Sequence, residues 1–316
     1  MRAIVVKSGR MELTEVPEPQ LREGDLLVRV RAAGVNRADL LQRVGKYPPP
    51  PGEPETIGLE IAGEVLEPAD RRGERVMALL AGGGYAEKVR VPAAQAMPIP
   101  EGLSFEQAAA IPEAFLTAWL NLAMLGGLKA GDVVVVHAAA SGVGSAALQL
   151  CRGLGPVLLA TASPSKHDAC RALGATHVLA RDEVPAGLAA AVQAAAGRGA
   201  DLIFDMVGAS YLEANIAALG LQGRLCCIST MAGARGTLDL AALLYKRLTV
   251  MGSTLRTRSA GQKAKLVGDF TARALPRFAT GGLQPVLGKT YPLLQAQAAH
   301  DALQANEVVG KVVLVV

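Results

Sequence analysis

Aromatic residues are scarce in this 316-residue chain: five Phe, five Tyr and one Trp make up 3% of it. A stacking platform for single-stranded nucleic acid needs more rings than that. Cysteine and histidine are equally sparse, at four each. Cys151, Cys170, Cys226 and Cys227 form no CxxC pair and have no His at metal-ligand spacing. That argues against a zinc site and a disulfide framework, and leaves buried free thiols as the expectation. Charge is also thin, at 19% of residues, against roughly 25% in an average globular protein, which predicts extensive burial and a subunit interface. The net charge of +4 contains no basic run, so it favours an anionic small molecule over a polyanion. No stretch of about 18 apolar residues is present to span a bilayer. The N-terminus opens with the strand-like Arg2-Ala3-Ile4-Val5-Val6, without the apolar region of a signal peptide. A cytoplasmic protein with no membrane or nucleic-acid partner is expected.

What is present is apolar weight, 51% of residues, carried by Ala, Leu and Val in a mix suited to packed helices and parallel strands. The length exceeds the roughly 250–300 residues at which single cores stop growing, so two domains are expected. The first third is β-rich, with short runs at Leu26–Val30, Glu60–Leu66, Arg75–Leu79 and Ala86–Val91 divided by Gly and Pro, which suggests a partly open barrel. From Asp132 the pattern changes. Strands at Val133–His137, Val157–Thr161, His177–Leu179, Leu202–Met206, Arg224–Ile228 and Thr249–Gly252 alternate with Ala/Leu-rich helices, the βαβ pattern of a six-stranded Rossmann sheet. After Thr257 come a helix containing Lys263, Lys265 and Leu266, an extended run at Val286–Tyr291, a helix at Ala296–Gln304 and a strand at Lys311–Val316. This tail leaves the repeat and is read as returning to the first domain. The expected fold is α/β: a doubly wound parallel sheet, residues 116–257, inserted in a β-rich, partly barrel-like catalytic domain of residues 1–115 and 258–316.

The strand ending at His137 leads through Ala138-Ala139-Ala140-Ser141-Gly142-Val143-Gly144 into a helix. Small residues let the backbone approach a pyrophosphate, and the N–H groups and dipole of the helix start favour its charge. In GxGxxG terms Ala139 and Ser141 replace the first two glycines and Gly144 is retained, so the motif depends on its strand–turn–helix context. NAD-selective folds carry an acidic residue at the end of the second strand. Here that place reads Thr161-Ala162-Ser163-Pro164-Ser165-Lys166. Hydroxyls and a cation favour a 2′-phosphate, hence NADPH. Lys166 reads alternatively as a solvated helix residue, and Arg181 either as a second phosphate ligand or as a surface charge.

With these residues in view, the chain resembles the zinc-free quinone oxidoreductases related to zeta-crystallin, within the medium-chain dehydrogenase/reductase superfamily. The likeness is carried by Asn36-Arg37-Ala38-Asp39-Leu40-Leu41, Gly45-Lys46-Tyr47 with the proline run Pro48–Pro51, Gly58-Leu59-Glu60, Ala108–Ala118, Ser141–Gly144 and Gly310–Leu314. It is most similar to the tumour-suppressor-inducible subgroup. The resemblance implies a GroES-like catalytic domain, an active site in the cleft beside the nucleotide domain, and a homodimer. It further implies that Asn36 and Asp39 lie beside the nicotinamide, with Thr117 touching that side. Ser141, Gly142 and Val143 would line the pyrophosphate, and Ser163 and Lys166 would hold the 2′-phosphate. Asp205, Val207, Ser229 and Met231 fall on loops that pass along the cofactor, Ser253, Thr254 and Leu255 face the nicotinamide or substrate, and Lys311 belongs to the same cofactor set.

The departures are informative. Zinc-dependent relatives carry a Cys in the early Gly-x-x-x-x-Asp region and a His in Gly-His-Glu; here there is no such Cys, and the second motif reads Gly58-Leu59-Glu60. A second active-site tyrosine of some relatives is replaced by Leu41, and a phosphate-contacting tyrosine by Arg181. The loop Glu67–Glu74 is short. Without zinc, a hydride from NADPH requires an acceptor that delocalises charge, as quinones do, together with groups that stabilise the oxyanion. Tyr47 is the candidate donor, or else a packing residue. Asn36 is the candidate that orients acceptor or nicotinamide, or else a turn former. His137 is read as a satisfied core residue, Glu113 as a brace at the domain junction and Cys226-Cys227 as packing. Reduction of conjugated enones or alkenals, and noncatalytic NADPH binding, are the alternatives to quinone reduction.

Overall fold

The computed structural model describes residues 1–7 and 9–316, which divide into unit 1, Met1–Leu116 with Leu255–Val316, and unit 2, Thr117–Thr254. Unit 1 opens with the antiparallel pair β1 (Arg2–Lys7) and β2 (Arg10–Glu15). There follow β3 (Asp25–Val35), α1 (Arg37–Arg43), β4 (Glu60–Glu67), β5 (Arg75–Leu79), β6 (Lys88–Pro92), β7 (Ala96–Pro98) and the short α2 (Phe105–Ala108). Helix α3 (Pro112–Trp119) then leads into unit 2 through a π-helical turn, Leu120–Leu125. Unit 2 alternates β8 (Val134–Val136), α4 (Gly142–Cys151), β9 (Leu158–Ala162), α5 (His167–Ala172), β10 (His177–Ala180), α6 (Val184–Ala196), β11 (Ala200–Asp205), α7 (Ala209–Ala218), β12 (Leu219–Cys227), α8 (Leu240–Tyr245) and β13 (Thr249–Gly252). Unit 1 resumes with α9 (Ala260–Arg273), α10 (Pro276–Ala279), β14 (Leu287–Pro292), α11 (Ala296–Gln304) and β15 (Lys311–Val315).

Local chemistry sets several of these boundaries. Helix α1 starts where Asn36 donates its backbone N–H to Asp39 Oδ2 at 2.7 Å, and α9 where Ser259 and Gln262 form a reciprocal capping box. The main sheet of unit 1 has the order β14-β15-β3-β4-β5-β7, and β6 pairs with β3 as well. Strand β3 therefore carries three partners: Asp25–Arg29 face β6, Leu27–Ala33 face β4, and Ala32–Val35 face β15. Leu26, Val28 and Val30 turn into a core with Ile61, Val76, Val91, Val312 and Leu314. Each such side chain contributes about 1.5–3 kcal/mol through burial. The tail thus completes unit 1.

Unit 2 is one parallel sheet in the order β10-β9-β8-β11-β12-β13. Val133, Val135, Leu159 and Ile203 pack against Leu188 and Val192 of α6 and Tyr211 and Ile216 of α7. The alternate residues Val134 and Val136 are buried on the other face. Burial on both faces explains why these strands read as unbroken apolar runs.

The structure adds β2 and β7 to the strands anticipated, and β12 begins at Leu219 instead of Arg224. There Leu219 pairs with Ala200 ahead of a register irregularity. Gly220, Gln222 and Gly223 interrupt the apolar pattern that would have revealed it. One helical run, Phe105–Leu125, does meet the length and composition needed to cross a membrane, contrary to the expectation of none, but 78% of its qualifying window is buried inside the protein. It is a core segment broken into α2, α3 and the π turn.

Candidate active site

The strand order of unit 2 reverses between β8 and β11, and open parallel sheets bind ligands beyond the carboxyl ends of their strands at such a reversal. The loop after β8 contains Ala138 at φ +45°, a left-handed conformation costing roughly 1–3 kcal/mol in a non-glycine residue. Ser141 caps α4, its Oγ accepting the Gly144 N–H at 3.0 Å and donating to Met206 Sδ at 3.4 Å. Gly142 and Val143 follow, half-buried, with first-turn N–H groups that have no partner within a helix. A Cβ on Gly144 would lie 2.5 Å from the Ala138 carbonyl oxygen. Glycine here lets helix and strand approach, as a dinucleotide turn requires.

Across the reversal, Asp205 shapes the loop after β11. Its Oδ1 accepts the Val207 and Gly208 N–H groups at 2.6 and 3.2 Å, and Oδ2 accepts from Asn215 Nδ2 at 3.2 Å. The Asp205 carboxylate is thus engaged within the protein, and it positions Val207. His137 is fully buried between Thr161 Oγ1 at 3.0 Å and Asn215 Oδ1 at 2.7 Å, and burial lowers its pKa. It is the satisfied core histidine the sequence suggested. Asn121, which sequence reasoning missed, ties two other candidates together: its Nδ2 donates to the Thr117 carbonyl at 2.8 Å, and its Oδ1 accepts from Ser253 Oγ at 2.7 Å. Ser229 is half-buried and Met231 and Thr254 are exposed on the loops after β12 and β13, whereas Leu255, in unit 1, is buried.

Ser163 and Lys166 bracket a 3-10 turn directly after β9. Arg181, exposed, follows β10, and its backbone N–H donates to the Ala162 carbonyl at 3.0 Å. The pairing of β9 with β10 therefore gathers Ser163, Lys166 and Arg181 at one corner of the sheet. Hydroxyl and cationic side chains gathered in this way suit a 2′-phosphate.

In unit 1 the sequence candidates form a charged cluster. Lys311, 4% exposed, places Nζ 2.6 Å from Glu60 Oε1, 2.5 Å from Asn36 Oδ1 and 2.9 Å from the Val35 carbonyl. All three ammonium hydrogens have acceptors inside the protein, so Lys311 acts on its surroundings through Asn36 and Glu60. Asn36 in turn donates Nδ2 to Glu60 Oε1 at 2.8 Å, and Glu60 Oε2 accepts the Glu113 N–H at 2.8 Å. Gly34 makes room for this carboxylate, since a Cβ there would lie 2.2 Å from Glu60 Oε1. Asp39 Oδ2 accepts from the Asn36 N–H and from Tyr85 OH at 3.1 Å, and Tyr85 OH lies 3.1 Å from His300 Nε2. Burial is the main cause that pushes Asp39 up to about 7, outweighing the Asn36 N–H and the Lys311 charge, and burial lowers His300 to about 3. Burial, followed by the charge of Glu60, pushes Glu113 up to about 8.

Tyr47 is half-buried on the Pro-rich turn and is held by Arg256, another residue the sequence reading missed. The Arg256 guanidinium stands 4.9 Å from the ring centroid, donates to the Tyr47 carbonyl at 2.9 Å and the Ala81 carbonyl at 2.8 Å, and bonds Gln42 Oε1 at 2.8 Å. A buried, forked cation of this kind fixes the turn in one conformation. Burial, and next the charge of Glu113, raise the Tyr47 pKa, so the phenol stays a donor.

Among the described residues no three His, Cys, Asp or Glu side chains converge as metal ligands. The residues present do not fit a zinc ion. Burial also lifts Cys226 to about 12 and Cys227 to about 11, and Cys226 Sγ donates to the Asn121 carbonyl, which makes both packing thiols.

Known proteins share this architecture. The family model described as alcohol dehydrogenase GroES-like domain matches residues 22–101, and that described as zinc-binding dehydrogenase matches residues 142–269. The human synaptic vesicle membrane protein VAT-1 homolog is 33% identical over 92% of this chain and 79% of its own length. The chain belongs to the medium-chain dehydrogenase/reductase superfamily. It is an oxidoreductase of that type, built on a Rossmann sheet and a β-rich domain as the sequence suggested. The quinone oxidoreductase from Thermus thermophilus, solved also with NADPH, is 38% identical with a TM-score of 0.86 and full coverage of both chains. A 300-residue segment of the spectinabilin polyketide synthase system protein NorB of Streptomyces orinoci is 35% identical, covering 93% of this chain and 13% of that protein. One of these models is named for zinc binding, but among the described residues no group of three His, Cys, Asp or Glu could hold a metal ion.

Proposed function

We propose that this chain is an NADPH-dependent, zinc-independent reductase of quinones, nearest to the tumour-suppressor-inducible subgroup. The observation that carries the reading is the donor set of unit 1. Tyr47 held by Arg256, and Asn36 held by Lys311 and Glu60, offer organic hydrogen-bond donors to an oxygen that becomes negative during reduction. NADPH, when bound, supplies the hydride. Ser141, Gly142 and Val143 bind its pyrophosphate at the start of α4, and Ser163, Lys166 and Arg181 select the 2′-phosphate. Thr117 and Ser253, tied by Asn121, would orient the nicotinamide, whereas Asp39, 0% exposed, acts by fixing the backbone of Asn36. Val207, Ser229, Met231 and Thr254 would line its path. Asn36 has one amide hydrogen beyond the bond to Glu60, and that hydrogen directs the acceptor or the nicotinamide amide.

NADPH oxidation followed with ortho- and para-quinones, with NADH and a chelator in parallel, tests the reading. Chelator-resistant turnover preferring NADPH supports it, and quinone-inactive protein refutes it. Tyr47→Phe should reduce turnover more than NADPH affinity. A second reading is reduction of conjugated enones. The same donors suit an enolate oxygen, and robust enone turnover with none on quinones would select it. A homodimer is part of the proposal. β13 is an edge strand with Val250 exposed, and α8, preceding it, exposes Leu240, Leu244 and Tyr245. Light scattering should show a dimer that Val250→Lys weakens.

A further inference from the structure

Hydride addition to a conjugated carbonyl leaves an oxyanion, and some group must supply its proton. We propose that Glu113 is that proton donor. Its carboxyl O–H bond breaks as the phenolate or enolate oxygen takes the proton, and the carboxylate is reprotonated by water. Both electrons come with the hydride, so NADPH is oxidised, the acceptor is reduced, and one proton is drawn from solvent per turnover. The inference rests on the reductase reading above.

Three carboxyl groups gather in unit 1, and geometry separates them. Asp39 and Glu60 are both 0% exposed. Glu60 is engaged at both oxygens, by Lys311 and Asn36 at Oε1 and by the Glu113 N–H at Oε2. Asp39 Oδ2 is held by the Asn36 N–H and Tyr85 OH, and its Oδ1 is sealed in the interior. Glu113 is different on two counts. It is partly exposed, and among the described residues no hydrogen bond or ion pair engages its carboxyl. Its backbone, by contrast, is fixed by the 2.8 Å bond to Glu60. A residue with a fixed backbone, partial exposure and no protein partner on its carboxyl is arranged to meet a ligand.

The surroundings keep that carboxyl in its acid form. The groups acting on it are Glu60 of β4, Lys311 of β15, Asp39 of α1 and Lys263 of α9, while Tyr47 and Arg256 both feel its charge. Burial and the Glu60 carboxylate outweigh the two lysines and hold Glu113 at about 8, so it carries its proton at neutral pH. A donor is most effective with a pKa near the working pH. Tyr47, whose raised pKa makes its phenol a poorer acid, holds the oxygen while Glu113 protonates it.

The test has one readout without turnover and one with it. Infrared difference spectra of cofactor-free wild type and Glu113→Gln should show a protonated-carboxyl stretch at pH 7 that the variant lacks. In wild type that band should titrate away as pH rises through about 8. Glu113→Gln should lower kcat by about 100-fold or more, with NADPH affinity unchanged within about twofold, and Glu113→Asp should restore part of it. The wild-type rate should fall above the same pH, where the acid form is lost. Identical carboxyl bands in the two proteins, or an active wild type matched by Glu113→Gln, overturns the proposal alone. A wild type that reduces neither quinones nor enones overturns the reductase reading and the proposal with it.

Discussion

Replacing Lys311 with Met would remove a cation from the interior while leaving the anion it neutralises. Glu60, 0% exposed, would retain only the amide of Asn36 and the N–H of Glu113. Breaking a buried pair from one side costs about 3–5 kcal/mol, because the remaining charge stays out of water. For domains of about 150–250 residues each kcal/mol moves Tm by roughly 2–4 °C, so the unit 1 transition should fall by about 6–20 °C in differential scanning calorimetry. The control is Lys311→Met combined with Glu60→Gln. With both charges absent the cost of an unpaired carboxylate disappears, and at least half the lost Tm should return, giving a coupling well above the few tenths of a kcal/mol that independent sites show. The unit 2 transition should stay in place in both variants. A loss below about 2 °C in the single variant, or no recovery in the double one, would refute the view of Lys311 as the counter-charge of a sealed carboxylate.

Four further outcomes follow from the same geometry. Burial raises Asp39 to about 7, above the roughly 3.9 of an unfolded chain, so its stabilising contribution is complete below about pH 4 and drains away as pH rises through 7, by up to about 4 kcal/mol. Urea midpoints from pH 5 to 9 should therefore fall more steeply in wild type than in Asp39→Asn, and parallel curves would contradict this. Lys166→Ala should weaken NADPH binding about 10–100-fold, the worth of a charge-assisted bond, and leave NADH nearly unchanged in fluorescence titrations; equal losses would remove the 2′-phosphate role. Gly144→Ala must displace backbone atoms only 2.5–2.7 Å from the new Cβ, and should cost about 1–3 kcal/mol in urea unfolding along with much of the NADPH affinity. Arg256→Lys replaces a fork with a point charge, so kcat on quinones should drop several-fold at constant NADPH affinity, and an unchanged kcat would detach the clasp from the chemistry.

The parallel sheet was legible because its central strands β8, β9 and β11 are buried and appear as short apolar runs, and because the Ser141–Gly144 segment caps and opens α4 soon after β8, where a phosphate loop requires it. The break in the βαβ rhythm after Thr257 falls close to Thr254, where unit 2 ends. Strands β2 and β7 were not legible, since the half-exposed β2 and the three-residue β7 carry too little pattern. The candidate cluster of unit 1 is marked in the sequence where a local motif lies, at Asn36, Asp39 and Tyr47, and hidden where partners are remote. Lys311 meets Asn36 across 275 positions, and Arg256 meets Tyr47 across 209. Tyr85 and His300 meet only through the fold, across 215. For Asn121, an amide inside an apolar run was the available signal. Such a residue needs a bonding partner when buried.

Strand β15 brings Lys311 to a unit whose other half is made first. During synthesis the ribosome must complete all of unit 2 before the counter-charge of Glu60 exists. At about 5–20 residues per second that interval is roughly fifteen to fifty-five seconds after Asn36. Through it, the Ala32–Val35 edge of β3 has no neighbour on the β15 side. The continuous unit 2 can finish its sheet while unit 1 waits, open along one seam. The order of translation thereby becomes an order of assembly, in which the same strand that delivers the positive charge also closes the seam.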